Sequence, residues 1–293
     1  PFEKNGWANW GQFFLNNFIG TTPFAADCKL KNPKALRFRN STKDNELTVI
    51  ALEPLVIENK ALGYRIKYQL ESFSYNFKTR ILLYAGYPFF EKMDGSKSKL
   101  KRWANNREET YYGSMLHFMR AVFQNKIGEE GFEVRRLKKI ENVEKKRVRQ
   151  VYRTSVESRT TPSGTIMVST IPKDSSAYYS KVMQQEDYFD VVAPALLTGD
   201  SIAYAVDHQT AGLQFEDHLL VIYTKKSVPV AYKQQFPKTG TAMMSEAILV
   251  NNSSIEIQAN GSYYNPADFL TSGYWAWSEK IATMLPFDFS VKK

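Results

Sequence analysis

The stretch from Glu53 to Phe90, EPLVIENKALGYRIKYQLESFSYNFKTRILLYAGYPFF, constrains the fold more than any other part of the chain. Leu47, Val49, Ile50 and Leu52 lead into a second apolar run, Leu55, Val56 and Ile57, which the polar cluster Glu58, Asn59 and Lys60 interrupts. Gly63, free of Cβ constraints, marks a reversal. Beyond it Tyr64, Ile66, Tyr68 and Leu70 share one phase of a two-residue period, while Arg65, Lys67 and Gln69 share the other. That alternation describes a strand with one buried and one wet face. A further run, Ile81 to Tyr84, follows Lys78 and Thr79. Links this short suit antiparallel pairing and exclude the long crossover that parallel strands need. The stretch therefore predicts a β-meander.

Elsewhere the period changes. Trp7, Trp10, Phe13, Phe14 and Phe18 are spaced by three and four, which predicts a short amphipathic helix ending near Gly20. Asn32-Pro33 reads as a turn, Ala35 to Arg39 as a short strand, and the EKMDGSKSK segment (91–99) as a linker. Leu100, Trp103, Arg107, Tyr111, Met115, Phe118 and Val122 form one helical stripe, with Gly113 leaving either two helices or a kinked one. Phe132–Ile140 and Arg147–Ser155 read as strands about a charged turn. Thr160–Ser176 reads as a loop around a strand at Thr165–Thr170, and Ser176–Phe189 as a short helix capped by Ser175 or Ser176. Strands follow at Ser201–Val206, Gly212–Phe215 and Leu219–Thr224. Ala247–Val250 and Ser254–Gln258 flank Asn251-Asn252 in the pattern of a tight hairpin, and Tyr274–Leu285 reads as a closing helix stopped by Pro286. The expected class is α+β, predominantly antiparallel β-sheet with a central helical segment and short N- and C-terminal helices. A single unit over 1–293 is expected, with internal boundaries allowed near 91–99 or 156–176.

With 293 residues, 43% of them hydrophobic, the chain can bury one large core or two smaller ones. Its single cysteine, Cys28, excludes an intrachain disulfide and reads as a partly buried small residue. The apolar runs fall far short of the roughly 20 residues a membrane-spanning helix needs. The chain begins at Pro1 without a charged-then-apolar leader and is read as a piece of a longer or processed protein. Net charge is +9, and between Glu91 and Arg153 there are 17 Lys or Arg against 9 Asp or Glu. Such an excess attracts polyanions. Interleaving by Glu129, Glu130, Glu133, Glu141 and Glu144 favours a solvated charged face over a polyanion site, and no specific nucleic acid is expected.

No nucleophile elbow and no phosphate-cradling glycine loop occurs in the sequence. His117 shares a helical face with Ser114 and Arg120, which fits a capping or interface role. Asp207-His208 and Asp217-His218 would offer a zinc site only if a hairpin brought them together, and their spacing matches no metal motif. Glu53, Glu58 and Glu71 are the carboxylates to consider for a glycosidase-like pair, which needs only to meet in space; exposed strand positions are the simpler reading. Tyr263, Tyr264, Tyr274, Trp275 and Trp277 are the candidate ligand surface, a stacking platform for sugar or peptide that competes with core packing. No catalytic residue, metal ligand or cofactor is assigned.

Several segments together resemble a known family. ENKALGYRI (58–66), the set Trp103, Asn106-Arg107, Tyr112-Gly113-Ser114, His117-Phe118 and Arg120, then EGFEV (130–134), VIYTKK (221–226) and GYWAWSEKIATMLPFDF (273–289) are similar to the shared body of Bacteroidetes proteins labelled carboxypeptidase-like regulatory domain-containing. The resemblance spans nearly the whole chain. It implies an upstream signal peptide and a small transthyretin-like β-domain, and an exported protein of the periplasm or outer cell surface. The label describes that upstream domain, so the resemblance implies no peptidase activity here and supplies no catalytic residues. The expectation is a non-enzymatic binding or structural module contacting glycan, peptide or another envelope protein. A hydrolase assembled only in the fold and a polyanion-binding surface are the alternatives.

Overall fold

The computed structural model describes residues 2–154, 156–161, 164–169, 173–264 and 266–291. Helix α1 (Gly6–Phe18) precedes β1 (Cys28–Leu30), β2 (Leu36–Ser41), β3 (Glu46–Ala51), β4 (Leu55–Asn59), β5 (Tyr64–Asn76) and β6 (Ile81–Lys92). Helices α2 (Lys97–Tyr111) and α3 (Met115–Phe123) lead to β7 (Phe132–Glu141), after which come α4 (Val143–Thr154), β8 (Val156–Thr161), β9 (Gly164–Ser169), α5 (Lys173–Met183) and β10 (Tyr188–Val192). The remainder holds α6 (Gly199–Ile202), β11 (Ala203–Ala205), β12 (Thr210–Leu213), β13 (His218–Ser227), α7 (Val230–Gln235), β14 (Ala242–Leu249), β15 (Ile255–Gln258), β16 (Phe269–Gly273) and α8 (Tyr274–Ser278). The class is α+β, every described strand pairing is antiparallel, and the chain divides into two compact units, Pro1–Arg136 with Ala195–Lys293, and Leu137–Pro194.

The larger unit is built on two cores. In the first, alternation along β5 buries Tyr64, Ile66, Tyr68 and Leu70 beside Leu55 and Ile57 of β4, and α1 covers that face with Phe14 and Phe18. The sheet runs β1–β4–β5–β3–β2, with β6 also paired along β5. The second core gathers Phe118, Phe132, Val221, Tyr223 and Trp275 around α3 and the sheet containing β7, β13, β14 and β16. β11, β12 and β15 form a small third sheet. In the smaller unit β10 pairs with Leu137–Glu141 of β7, and β8 pairs with β9.

Within the larger unit, the turn between β4 and β5 ties distant segments together. Asn59 is fully buried; its Oδ1 accepts from the Ala61 and Leu62 amides, and its Nδ2 donates to the Ala282 carbonyl at 2.9 Å. Four successive carbonyls then receive donors from α2: Lys60 from Trp103 Nε1, Ala61 from Asn106 Nδ2, Leu62 from Arg107 Nε and Gly63 from Arg107 Nη2. The Arg107 guanidinium also lies 4.0 Å from the Tyr64 ring centre. Gly63 has φ +69°, and a Cβ there would come within 2.2 Å of the Trp103 ring. The helical stripe breaks at Gly113 (φ +86°), Ser114 caps α3 by accepting from the His117 amide, and the Gly113 carbonyl accepts from Trp275 Nε1.

Four expectations are corrected. Arg147–Ser155 is not a strand: residues through Thr154 belong to α4, where Asn142 Oδ1 accepts from the Lys145 amide and Glu144 pairs with Arg147 one turn on. Ser155 lies outside the described residues, as do 162, 163 and 170–172 of the predicted loop. The Asn251-Asn252 segment does not close a hairpin, because β14 pairs with β13 and β16 while β15 pairs with β12; Asn251, at φ +57°, turns the chain from one sheet to another. The closing helix stops at Ser278. Ala282 instead donates to the Ile19 carbonyl and accepts from Asn59, so tertiary hydrogen bonds replace helical ones. In the Ser176–Phe189 segment, α5 begins earlier than expected, at Lys173, and Phe189 enters β10.

Gly63→Ala should lower stability by about 2 kcal/mol or more, through backbone strain and the collision with Trp103. Asn59→Ala should cost about 3 kcal/mol by orphaning buried amides and a carbonyl. Urea unfolding midpoints measure both, and a loss under about 0.5 kcal/mol in either would contradict the assigned role of the turn.

Candidate functional site

The sequence ILLYAGYPFFEK forms β6, the last strand of the meander. Its alternation sends Leu82, Tyr84 and Phe90 toward the first core, with the Tyr84 ring 5.4 Å from Phe18 and 6.3 Å from Phe73. Ile81, Leu83, Tyr87 and Phe89 occupy the other face and are exposed, the last two at 67% and 61%. Pro88 has no N–H to give and is tolerated in sheets only at an edge or a bulge. On one side β6 is paired with β5 along twelve residue pairs; on the other, among the described residues, it has no strand partner.

That open side faces a cleft of about 2010 Å³ within the larger unit. Every residue from Ile81 to Phe90 lines it, whatever its phase, and so does every residue of β16 from Phe269 to Gly273. Strand faces would contribute alternate residues, whereas strand edges contribute consecutive ones. The cleft is thus bordered by two sheet edges, with β16 paired only to β14. Tyr68, Tyr263, Trp277, Glu279 and Lys280 are also among its lining.

Glu279 and Lys280, at the break after α8, are a carboxyl and an amine in its lining whose protonation is shifted toward neutral pH. Glu279 Oε1 accepts from the Met115 amide at 3.0 Å, and its carbonyl accepts from the Tyr84 hydroxyl at 3.4 Å. Burial pushes the Glu279 carboxyl up to about 7, against the opposing pull of the Met115 N–H and the Lys280 charge. Burial likewise pushes Lys280 down to about 8, against its attraction to Glu279. The Tyr84 and Tyr263 phenols are raised, first by burial and further by the Glu279 charge. The result is a group of tyrosines around one carboxyl and one amine in a desolvated wall.

The aromatic residues singled out from sequence separate into two kinds. Tyr263 is half-buried against Phe269, and Tyr264 is 54% exposed with its hydroxyl accepting from Gln258; both line the cleft. Trp275 and Trp277 are 2% and 6% exposed. The Trp275 indole is committed to Gly113, and the Trp277 indole donates to Gln235 Oε1 at 2.8 Å beside Tyr232 and Tyr274. They touch the cleft as parts of its wall. Glu279, Lys280, Tyr84 and the β6 edge escaped the sequence reading. The available signal was that the apolar run continues through Phe90 and contains Pro88.

The other candidates have structural employment. His117 is buried among Tyr111, Tyr112, Phe132 and Tyr223; Nδ1 accepts from the Gly113 amide, so Nε2 carries the proton donated to Glu130 at 2.9 Å. Arg120 donates to the carbonyls of Asn260, Phe287 and Phe289. His208 lies in the β11–β12 turn and His218 opens β13 in a different sheet. Asp207 accepts from the Gln209 and Thr210 amides, and Asp217 is 3.5 Å from Arg136. Among the described residues no grouping of His, Cys, Asp and Glu is placed to hold a metal ion. Cys28 is pushed up to about 12 by burial and by Asp27. Glu58 pairs with Lys31 and Arg65, Glu53 accepts from Asn32, and Glu71 sits at the bulge where β5 and β6 shift register. In the basic segment Lys139, Lys145, Lys146, Arg147 and Arg149 are all ion-paired. Among the described residues no helix is long and apolar enough to cross a membrane.

No protein-family model, no curated protein and no solved structure matches this chain.

A carboxyl raised on folding binds its proton more tightly in the native state, so its contribution to stability is full below about 4.5 and is lost as pH rises to about 7. Glu279→Gln keeps the acceptor for Met115 and removes this titration. Its urea-unfolding stability should fall less steeply than that of the unsubstituted chain between pH 4.5 and 7, and identical slopes would show that the carboxyl is solvated.

Proposed function

We propose that this chain is a non-catalytic binding module of the bacterial cell envelope, exported to the periplasm or outer surface, and that the cleft bordered by β6 and β16 holds its ligand. The observation that carries the reading is the cleft itself. Its volume of about 2010 Å³ is twice or more the roughly 300–1,000 Å³ of small-molecule sites, a size suited to a stretch of polymer, peptide or glycan. Exposed Tyr87, Phe89 and Tyr264 supply apolar and stacking surface. Polar groups in the wall already serve the fold, Glu279 through Met115 and Trp277 through Gln235. The envelope setting rests on the resemblance carried by ENKALGYRI and GYWAWSEKIATMLPFDF.

One observation favours a second reading. Glu279 and Lys280, shifted toward neutrality from opposite sides, have the character of an acid–base pair. Turnover of a peptide or glycan that disappears in Glu279→Gln would establish a hydrolase in place of a binding module.

Photo-crosslinking tests the binding reading. With benzophenone-alanine at Phe89 or Tyr264, and at Ile140 as an exposed apolar control in the other unit, the chain carrying an export signal is irradiated in a Bacteroidetes host. Adducts are expected from the two cleft positions and not from the control. Absence of adducts at Phe89 and Tyr264, or equal labelling at Ile140, would overturn the proposal.

A further inference from the structure

We infer that the cleft's occupant is an extended polypeptide segment of a partner protein, added as a new strand along the open edge of β6. The inference rests on the cleft being the binding site and names what fills it.

β6 is a long edge with few defences. Sheets protect their edges by shortness, by charge, by proline or by a covering element; Pro88 lies in β6 and the Pro266–Asp268 turn packs near it, but one proline and a three-residue turn do not span a twelve-residue strand. In the same sheet β1 is only three residues long, and β2 carries exposed Arg37 and Arg39. β6 has twelve residues, and its charges, Glu91 and Lys92, are confined to one end. Between Ile81 and Phe90 it offers four exposed apolar side chains and a row of backbone groups with no strand opposite.

The chemistry of that row selects the ligand. On an open edge, outward N–H and C=O groups recur every second residue, roughly 7 Å apart. A polypeptide in extended conformation presents the complementary groups at the same repeat, as in known strand-addition complexes. A glycan has no such matching series. The lining holds Arg80, Lys92 and Lys280 together with Glu71, Glu246, Glu279 and Asp288, so neither sign of charge dominates. The segment that fits is therefore uncharged through its middle, with apolar or aromatic residues at alternate positions to lie beside Leu83, Tyr87 and Phe89. The other bordering edge, β16, is five residues long and carries Thr271, Ser272 and Gly273 at its end. It forms the facing wall, and β6 is the strand that pairs.

The test uses the full chain as bait for a displayed library of 12-residue peptides randomised at every position, followed by synthesis of the selected peptides. Two N-methylated forms of each are compared, one modified at odd positions and one at even. Pairing along a single edge predicts that one form binds nearly as well as the parent and the other loses about tenfold or more, since only alternate amides face β6. Tyr87→Lys/Phe89→Lys, at exposed positions that leave the fold intact, should weaken binding to a similar degree. Equal sensitivity of the two N-methylated forms, or no selected peptide at all, overturns the inference. If Phe89 crosslinks in cells while no peptide is selected, the cleft is a binding site for something other than a strand. Concentration-dependent dimers in sedimentation that Tyr87→Lys/Phe89→Lys dissolves would make the occupant a second copy of this chain, and would also overturn it.

Discussion

Four backbone carbonyls in a row, Lys60 to Gly63, each receive a hydrogen bond from the side chains of one helix, and the rest of the larger unit depends on that contact. A turn buried at this depth would otherwise leave acceptors unpaired, at a cost that no local apolar contact repays. Trp103, Asn106 and Arg107 satisfy them and in doing so set α2 against the meander. Asn59 closes the same turn from within and reaches the Ala282 carbonyl, which ties in the end of the chain. Two halves of the sequence some 220 residues apart are thus joined through a single five-residue reversal.

The same logic explains why several polar residues of α3 and its neighbours look like a site and act as a scaffold. Gly113 and Trp275 share a hydrogen bond, Ser114 caps α3, His117 bridges Gly113 and Glu130, and Arg120 gathers three carbonyls near the C-terminal end. Each is a polar side chain of the kind that chemistry uses, and each is occupied with a backbone group or a neighbouring side chain. Such placement demands particular residues because a buried donor or acceptor without a partner is expensive. What is left open to a ligand lies elsewhere, on the unpaired edge of β6 and around Glu279.

Much of the fold was legible. Period-two alternation fixed the faces of β4 and β5, the three-and-four spacing located α1, and Gly113 marked the break between α2 and α3, because these signals arise within a few residues of each other. The failures share a cause. In α4 a basic, valine-containing segment has the composition of a strand, but Asn142 capping and the Glu144–Arg147 pair favour a helix. Asn251-Asn252 has hairpin chemistry, yet the flanking strands find partners in different sheets. The closing helix was interrupted by hydrogen bonds to Asn59 and Ile19, which no local pattern announces. For the cleft, Tyr263 and Tyr264 were visible as an aromatic pair, while Tyr84, Glu279 and Lys280 are about 195 residues apart in sequence and meet only in space.

The class of this protein, the strand faces of the meander and the amphipathic helix α1 that covers them follow from local patterning alone, since periodicity and turn chemistry are properties of neighbouring residues. Tertiary structure decided which of its polar residues are scaffold and which face the cleft. It also decided that β6 keeps one side open and that a glutamate inside a predicted helix becomes a raised carboxyl in a wall of tyrosines. Those outcomes depend on burial and on partners distant along the chain, and burial is a property of the packed molecule.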